Sequence, residues 1–504
     1  MAKKYYITTP LYYVNALPHI GHAYTTICAD TLARFKRREL GADGVWFLTG
    51  TDEHGQKIQK AAQEQGLEPL AFADRVSGEF RRMWGQFGIS YNDFIRTTEE
   101  RHKKTVRAAL QLLYEKGDIY ESTYEGCYCA PCESFWAESQ VTGDTCPDCR
   151  RPVERIAEKN YFFRLSQYQK WLVSHIESNP DFIRPQIRYN EVLSFLKLNT
   201  LTDLCISRPK ERLSWGIPLP FSSGHVTYVW FDALLNYISA VGEFDEKGCY
   251  RSQIWPADLQ LIGKDILRQH AVYWPAMLKA LGLEIPKTIF AHGWWLMGDT
   301  KMSKSRGNVV APMDMAAKYG NDVFRYFLLR DVPFGGDGNF SEEAIVKRLN
   351  GDLANDLGNL VYRTLTMVEK YYGGAVPPAE ALKRDGEAAA ILELMKQLEG
   401  VQRELLTPGR DFSFNHCLEQ IWELVNKANK HVENTKPWNL AKENRADELR
   451  SFIRLLVEVI REVAAQIEPY LPSTGVSIRE QIGSETVKKG LPLFPRIENK
   501  PAKD

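Results

Sequence analysis

The first fifty residues constrain the fold of this chain most. Tyr5-Tyr6-Ile7-Thr8-Thr9 is β-prone and gives way to a loop holding Pro10, Asn15 and Pro18. The spacing of Ile27, Leu32 and Phe35 predicts a helix from near His22 to Leu40, with Gly41 just beyond its end. Val45-Trp46-Phe47-Leu48-Thr49 is a short apolar run bounded by glycines, which suits a parallel strand buried on both faces. Strand, loop, helix and strand in that order predict a doubly wound parallel sheet of the α/β class. Such a sheet takes its ligands at the carboxyl ends of its strands.

At 504 residues the chain has room for three or four such units, at about 150 residues each. Short strands, turns and paired cysteines break the α/β pattern from 118 to 225, which predicts an inserted domain. Val226-Thr227-Tyr228-Val229-Trp230-Phe231 reads as a return to the sheet, with further α/β alternation to about 295. Beyond 350, apolar residues at three- and four-residue spacing predict helices over 353–372, 388–405, 415–433 and 446–467. The expected boundaries are 1–117 and 226–295 for the two halves of the sheet domain, 118–225 for the insertion, 296–350 for a connecting region and 351–504 for a helical bundle with a tail. That tail, Leu491-Pro492-Leu493-Phe494-Pro495, is apolar enough to dock, and the sheet domain is its expected seat.

Charge and composition narrow the functional classes. Lys plus Arg (64) cancels Asp plus Glu (64), so a nucleic-acid partner must be held by local patches. With 44% hydrophobic and 25% charged residues the chain is not a disordered one. No apolar run approaches the roughly 18 residues of a membrane span, and the N-terminus lacks a signal-peptide core. Nine cysteines, four of them in two Cys-x-x-Cys units, fit a reduced compartment and a metal better than a disulfide framework. A soluble cytoplasmic protein is expected.

Four constellations carry chemistry. His19-Ile20-Gly21-His22 follows a predicted strand at the mouth of a helix, where unpaired N–H groups and a partial positive charge attract phosphate. Gly21 lets a ligand approach the backbone, and two imidazoles three positions apart can both donate to phosphate oxygens; alone, the tetrapeptide is weak evidence. Lys301-Met302-Ser303-Lys304-Ser305, followed by Arg306, supplies cations and hydroxyls suited to a polyphosphate and to charge on departing pyrophosphate. Cys129-Ala130-Pro131-Cys132 and Cys146-Pro147-Asp148-Cys149, with 13 residues between them, suit tetrahedral zinc, although Cys127 leaves the register open. Asn359 and Arg363 share a helix face, and with Trp438 they could hydrogen-bond and stack unpaired bases.

An HIGH tetrapeptide and a KMSKS pentapeptide about 280 residues later resemble class I aminoacyl-tRNA synthetases. The surrounding text is similar to the methionyl-tRNA synthetases of the bacterial type. The matching stretches run along nearly the whole chain: Thr9 to Asn15, Thr49 to Gly55, Trp215 to Pro218, Val229 to Ala233, Gly263 to Ile266 and Trp274 to Met277. The resemblance implies a Rossmann-like catalytic domain and a two-step reaction. ATP and L-methionine give methionyl-adenylate and pyrophosphate, and the methionyl group then passes to the terminal adenosine of methionine tRNA, initiator and elongator alike.

The resemblance also implies roles. His19, His22, Lys301 and Lys304 are catalytic, and with Gly21, Asp265 and Ser303 they bind ATP, which Mg²⁺ accompanies. Asp52 takes the methionine ammonium and Arg208 its carboxylate. Leu11, Tyr13, Trp230, Ala233, Leu234, Tyr237, Ile266, His270 and Trp274 complete the amino-acid pocket, whose thioether ligand suits aromatic neighbours. One structural Zn²⁺ sits on Cys129, Cys132, Cys146 and Cys149, while Asn359, Arg363 and Trp438 read the CAU anticodon. Without the C-terminal β-barrel of some relatives, a monomer is expected. A synthetase for leucine, isoleucine or valine would need a longer hydrolytic insertion than 118–225. A nucleotidyltransferase that ignores tRNA would not need the bundle, and a non-catalytic tRNA-binding descendant would not need both motifs intact.

Overall fold

The computed structural model describes residues 4–129, 134–136, 138, 141–147, 149–298, 300–301 and 310–497. The chain divides into two compact units, Met1–His292 and Gly293–Asp504.

The first unit is an α/β layer structure. Among the described residues, seven strands form one sheet in which every pairing is parallel. Strand β1 (Tyr5–Thr8) lies at its centre, between β3 (Val45–Asp52) and the strand Leu259–Gly263. Along β3 run first β1 and then the short β2 (Tyr12–Tyr13), with β4 (Asp93–Arg96) on the other edge. Beyond Leu259–Gly263 the sheet continues through Ile289–His292 to Ile183–Arg184. The chain leaves β1 toward one side of the sheet and later fills the other side. That reversal opens a crevice at the carboxyl ends of the central strands.

Local chemistry explains the elements around this crevice. Helix α1 (Ile20–Leu40) begins slightly earlier than the apolar spacing predicts, because His19 caps it. Its N-terminal half is buried almost all round, as befits a helix against a sheet, and Arg37 and Arg38 stand in its last turn, where the dipole favours cations. Seven of the eight residues of β3 are buried, so both faces of this strand are covered. Gly50 has no alternative there, because a Cβ would lie 2.0 Å from the Ile95 carbonyl of the neighbouring strand.

One expectation is corrected. Val226–Phe231 does not rejoin the main sheet: Ser222–Thr227 pairs antiparallel with Ser207–Pro209 and Pro218–Leu219, and a helix follows at Val229–Leu234. Leu259–Gly263 makes the return instead. The segment from 118 onward holds a long antiparallel pair, Ile119–Cys129 with Glu154–Phe163. It shares the hydrophobic core of the first unit through Ile119, Phe163, Leu172 and Ile176, and it lends Ile183–Arg184 to the sheet edge.

The second unit is mainly helical. Asn359–Tyr372, Gly386–Leu405, Phe414–Thr435 and Ala446–Ile467 match the periodic stretches, and a π-helical turn over Leu349–Gly358 precedes the first of them. The apolar tail, expected on the sheet domain, makes contacts within this unit. Phe494 is buried near Gly358, and Asn350 exchanges two hydrogen bonds with the Ile497 backbone, at 2.8 and 3.0 Å.

Candidate active site

The first candidate segment forms the N-terminus of α1, after β1 and the short β2. His19 Nδ1 accepts from the Gly21 N–H at 3.1 Å, and His22 Nδ1 accepts from the His19 N–H at 3.2 Å. This is a capping box built from two histidines, with their rings stacked 3.7 Å apart. Because each Nδ1 is an acceptor, each neutral ring carries its proton on Nε2. The site thus combines two imidazole donors with a helix terminus, an arrangement made for anions. A Cβ on Gly21 would stand 3.0 Å from the His19 ring, so glycine keeps the cap closed. Tyr12, which sequence reasoning missed, backs His22 with ring centroids 4.9 Å apart and bonds Thr26 at 2.5 Å. Thr25 meets His292 at 2.6 Å and so ties α1 to the last strand of the unit.

Most of the predicted pocket residues lie on two segments whose Leu234, Tyr237, Ile266 and Trp274 share the core of the first unit. Ala233, Leu234 and Tyr237 are buried and Trp230 half-buried, on Val229–Leu234 and the short helix Asn236–Ser239 that follows. A π-helical turn, Gln269–Tyr273, sets His270 one turn after the half-buried Ile266, with the buried Trp274 next in the chain. His270 Nδ1 donates to the Ile266 carbonyl at 2.9 Å, so its Nε2 accepts from the Tyr237 hydroxyl at 2.8 Å. Burial pushes the His270 imidazole down to about 4, which leaves it neutral at physiological pH. Trp274 packs at 5.8 Å from Tyr237 and 5.9 Å from Trp255. Its indole N–H has no hydrogen-bond partner among the described residues.

Asp52 closes β3 in register with Tyr13, and its carbonyl accepts from Val14 at 3.2 Å. The Tyr13 ring lies under the Lys57 ammonium at 5.4 Å, and Leu11 packs against the core. Asp265 stands exposed on the turn after Leu259–Gly263. Arg208 is buried, its guanidinium over the rings of Tyr228 (4.6 Å) and Tyr128 (5.2 Å). It lines a small crevice together with Gly55, three residues past Asp52. Sequence reasoning assigned no role to His54, His102 or Asp232, three buried groups joined at 2.6 Å. Two of them lie in stretches that carry the resemblance, the one signal that could have found them.

The thiols of Cys129, Cys146 and Cys149 lie within 4.8 Å of one another, and Cys127 is not in this group. Thiolates at the zinc–sulfur distance of about 2.3 Å stand roughly 3.8 Å apart across a tetrahedron, so the cluster fits a metal ion. Cys132, Ser303 and Lys304 lie outside the described residues, and Lys301 is described only as the end of a short strand pairing with Trp295–Met297. In the second unit, Asn359 is exposed and Arg363 half-buried on the helix Asn359–Tyr372. Trp438, 43% exposed, is the second residue of the short helix Pro437–Lys442, which follows Lys436, whose φ is 47°. Both helices pack on Ala446–Ile467.

Comparison with known proteins accords with this geometry. The family model described as tRNA synthetases class I (M) matches residues 5–156 and 151–365. The methionine–tRNA ligase of Caldanaerobacter subterraneus subsp. tengcongensis is 46% identical over 517 residues, covering 99% of this chain and 80% of that protein. The methionine–tRNA ligase of Thermotoga maritima is 44% identical, covering 99% and 81%. Among solved structures, the Mycobacterium tuberculosis methionyl-tRNA synthetase in complex with methionyl-adenylate superposes with a TM-score of 0.91 at 41% identity, over 98% of this chain and 100% of that one. The apo form of the same protein gives 0.84 at 38% identity, over 99% of each. With an all-parallel sheet, a histidine-capped helix at its switch point and relatives matched over nearly their common length, the chain belongs to the class I methionine–tRNA ligases.

Proposed function

We propose that the chain activates L-methionine with ATP to methionyl-adenylate and pyrophosphate, then esterifies the terminal adenosine of methionine tRNA. The methionine carboxylate attacks the α-phosphate directly, so no protein nucleophile is required. The protein orients the reactants and offsets the charge that moves onto pyrophosphate. His19 and His22 donate to phosphate oxygens, Gly21 leaves the backbone approachable, and Asp265 contacts the nucleotide. Lys301, Ser303 and Lys304 serve the departing pyrophosphate, and Mg²⁺ accompanies ATP.

In the amino-acid pocket Asp52 takes the ammonium and Arg208 the carboxylate. Leu11, Tyr13, Trp230, Ala233, Leu234, Ile266 and Trp274 enclose the side chain. Tyr237 and the neutral His270 face the thioether without presenting it a charge, which suits a polarizable sulfur. A structural zinc is held by Cys129, Cys132, Cys146 and Cys149, four thiolates that leave no open position, and Cys127 stays outside the set. Asn359, Arg363 and Trp438 read the CAU anticodon, and the protein works in the cytoplasm as a monomer. No helix among the described residues is long and apolar enough to cross a membrane.

The observation that carries this reading is the pair of Nε2–H donors at the mouth of α1. The test is amino-acid-dependent ATP–pyrophosphate exchange across a panel of amino acids, followed by tRNA charging. Exchange with methionine alone, and charging of methionine tRNA alone, are the expected results. Exchange with leucine, isoleucine or valine at a comparable rate would refute the assignment.

A further inference from the structure

A buried polar chain runs behind the amino-acid pocket, and the reaction above does not use it. His54 Nδ1 lies 2.6 Å from one oxygen of Asp232, and His102 Nε2 lies 2.6 Å from the other. His102 Nδ1 meets Ser239 Oγ at 2.8 Å, and that hydroxyl donates on to the Asn236 carbonyl at 3.2 Å. His102 and Asp232 are wholly buried, and His54 nearly so. Burial raises the Asp232 carboxyl, but the two imidazoles more than reverse this and hold it at about 2. An ionised carboxylate with two imidazoles in a dry interior is costly unless every member is paired, and once paired it is stiff.

The chain joins two parts of the pocket that are otherwise far apart in sequence. His54 belongs to the segment that leaves β3 at Asp52. Every residue of that segment is tied down. The Asp52 carbonyl accepts from Val14. Glu53 receives the Arg96 guanidinium at 2.7 and 2.9 Å and the Thr51 hydroxyl at 2.7 Å. Gly55 donates to the Trp215 carbonyl at 3.3 Å. Asp232 belongs to the helix Val229–Leu234, which carries Trp230, Ala233 and Leu234. His102, on the helix Glu100–Glu115, braces Asp232 from behind.

We propose that His54, Asp232 and His102 are positioning residues for amino-acid recognition, holding Asp52 at a fixed distance from the aromatic wall. The pocket then acts as a ruler: a ligand is held tightly only if its ammonium and its side-chain end engage together. Such geometry is worth orders of magnitude in binding and rate when it is set to within an ångström. The inference rests on the reading of Asp52 as the ammonium partner.

The test is equilibrium binding to the full-length protein of three ligands: L-methionine, methioninol (which keeps the ammonium) and 4-(methylthio)butanoate (which lacks it). His102→Gln and Asp232→Asn should each weaken methionine and methioninol by about tenfold or more while changing 4-(methylthio)butanoate less than about twofold. Equal loss for all three ligands, or no loss for any, overturns the proposal, because a merely structural role lowers all affinities together. Ser239→Ala trims the far end of the chain without touching Asp232 and should show the same selectivity at smaller amplitude. It decides the matter if the central variants do not fold. If the unmodified protein binds 4-(methylthio)butanoate as tightly as methionine, the Asp52 reading itself fails, and the proposal with it.

Discussion

The candidate residues of the two units differ in how much of them water sees. In the first unit Tyr237, His270, Trp274, Arg208 and Asp232 are buried; Tyr237 holds His270 by a hydrogen bond and Trp274 by a ring contact, Arg208 lies over Tyr228, and Asp232 is bound by His102. In the second, Asn359 and Trp438 are exposed on helix surfaces, and Trp438 keeps 43% of its surface open. Each arrangement suits the task proposed for it. Recognition of a small apolar amino acid and transfer of a nucleotidyl group require reacting atoms held to fractions of an ångström, which only packed side chains achieve. Reading unpaired bases requires flat faces and donors that a partner of unknown backbone path can reach.

Substitutions that act on one region and spare the other sharpen that contrast. The largest effect belongs to the helix mouth: His22→Ala should slow ATP–pyrophosphate exchange by about 10²- to 10³-fold, the cost of losing one preorganised donor to a transition state. An unchanged exchange rate would break the contrast at its strongest point. In the second unit Trp438→Ala should reduce tRNA charging by roughly 10- to 100-fold through lost base stacking while exchange stays within about twofold. Equal losses in both assays would make Trp438 a packing residue.

Smaller effects follow inside the pocket. Tyr237→Phe removes the donor to His270 Nε2 and leaves a buried acceptor unpaired, at about 1–3 kcal/mol. The expected readout is a rise of about tenfold in KM for methionine with little change in KM for ATP. The smallest effect is on stability. The imidazole of His270 is held down to about 4 by burial, against about 6.5 in the unfolded chain, so the unfolded state binds more protons between these values. Stability from this group is therefore complete above pH 6.5 and falls as the pH drops toward 4. Between pH 7.5 and 6 the loss is about 1 kcal/mol, seen as a decline in unfolding midpoint that His270→Gln should flatten.

Legibility in the sequence followed chain distance. The helix mouth and the paired cysteines were readable because their chemistry needs neighbours within a few residues: a cap, a dipole end, two thiols of one knuckle. The four long helices of the second unit were readable from periodicity alone, as Ala446–Ile467 shows to the residue. Val226–Phe231 misled, since its β-branched and aromatic residues suit a strand equally well. The chain turns into a helix there because Tyr228 starts a new turn and Asp232 must reach two histidines. Ile183–Arg184 was invisible as a sheet strand, because two residues carry no period.

The sequence by itself determined the order of strand, helix and strand, the histidine cap of α1, the gathering of Cys129, Cys146 and Cys149, and the family to which they belong. These are local patterns, and backbone geometry and donor chemistry leave them few alternatives. Only the tertiary structure decided that His54, His102 and Asp232 meet, that His270 is neutral with its proton on Nδ1, and that the tail docks on the second unit. The His54–Asp232 and His102–Asp232 contacts of the first unit and the tail contact of the second join residues 178, 130 and 147 positions apart, and His270 meets Tyr237 across 33. Across such separations the cost of an unpaired polar group, and not any local preference, selects the partner.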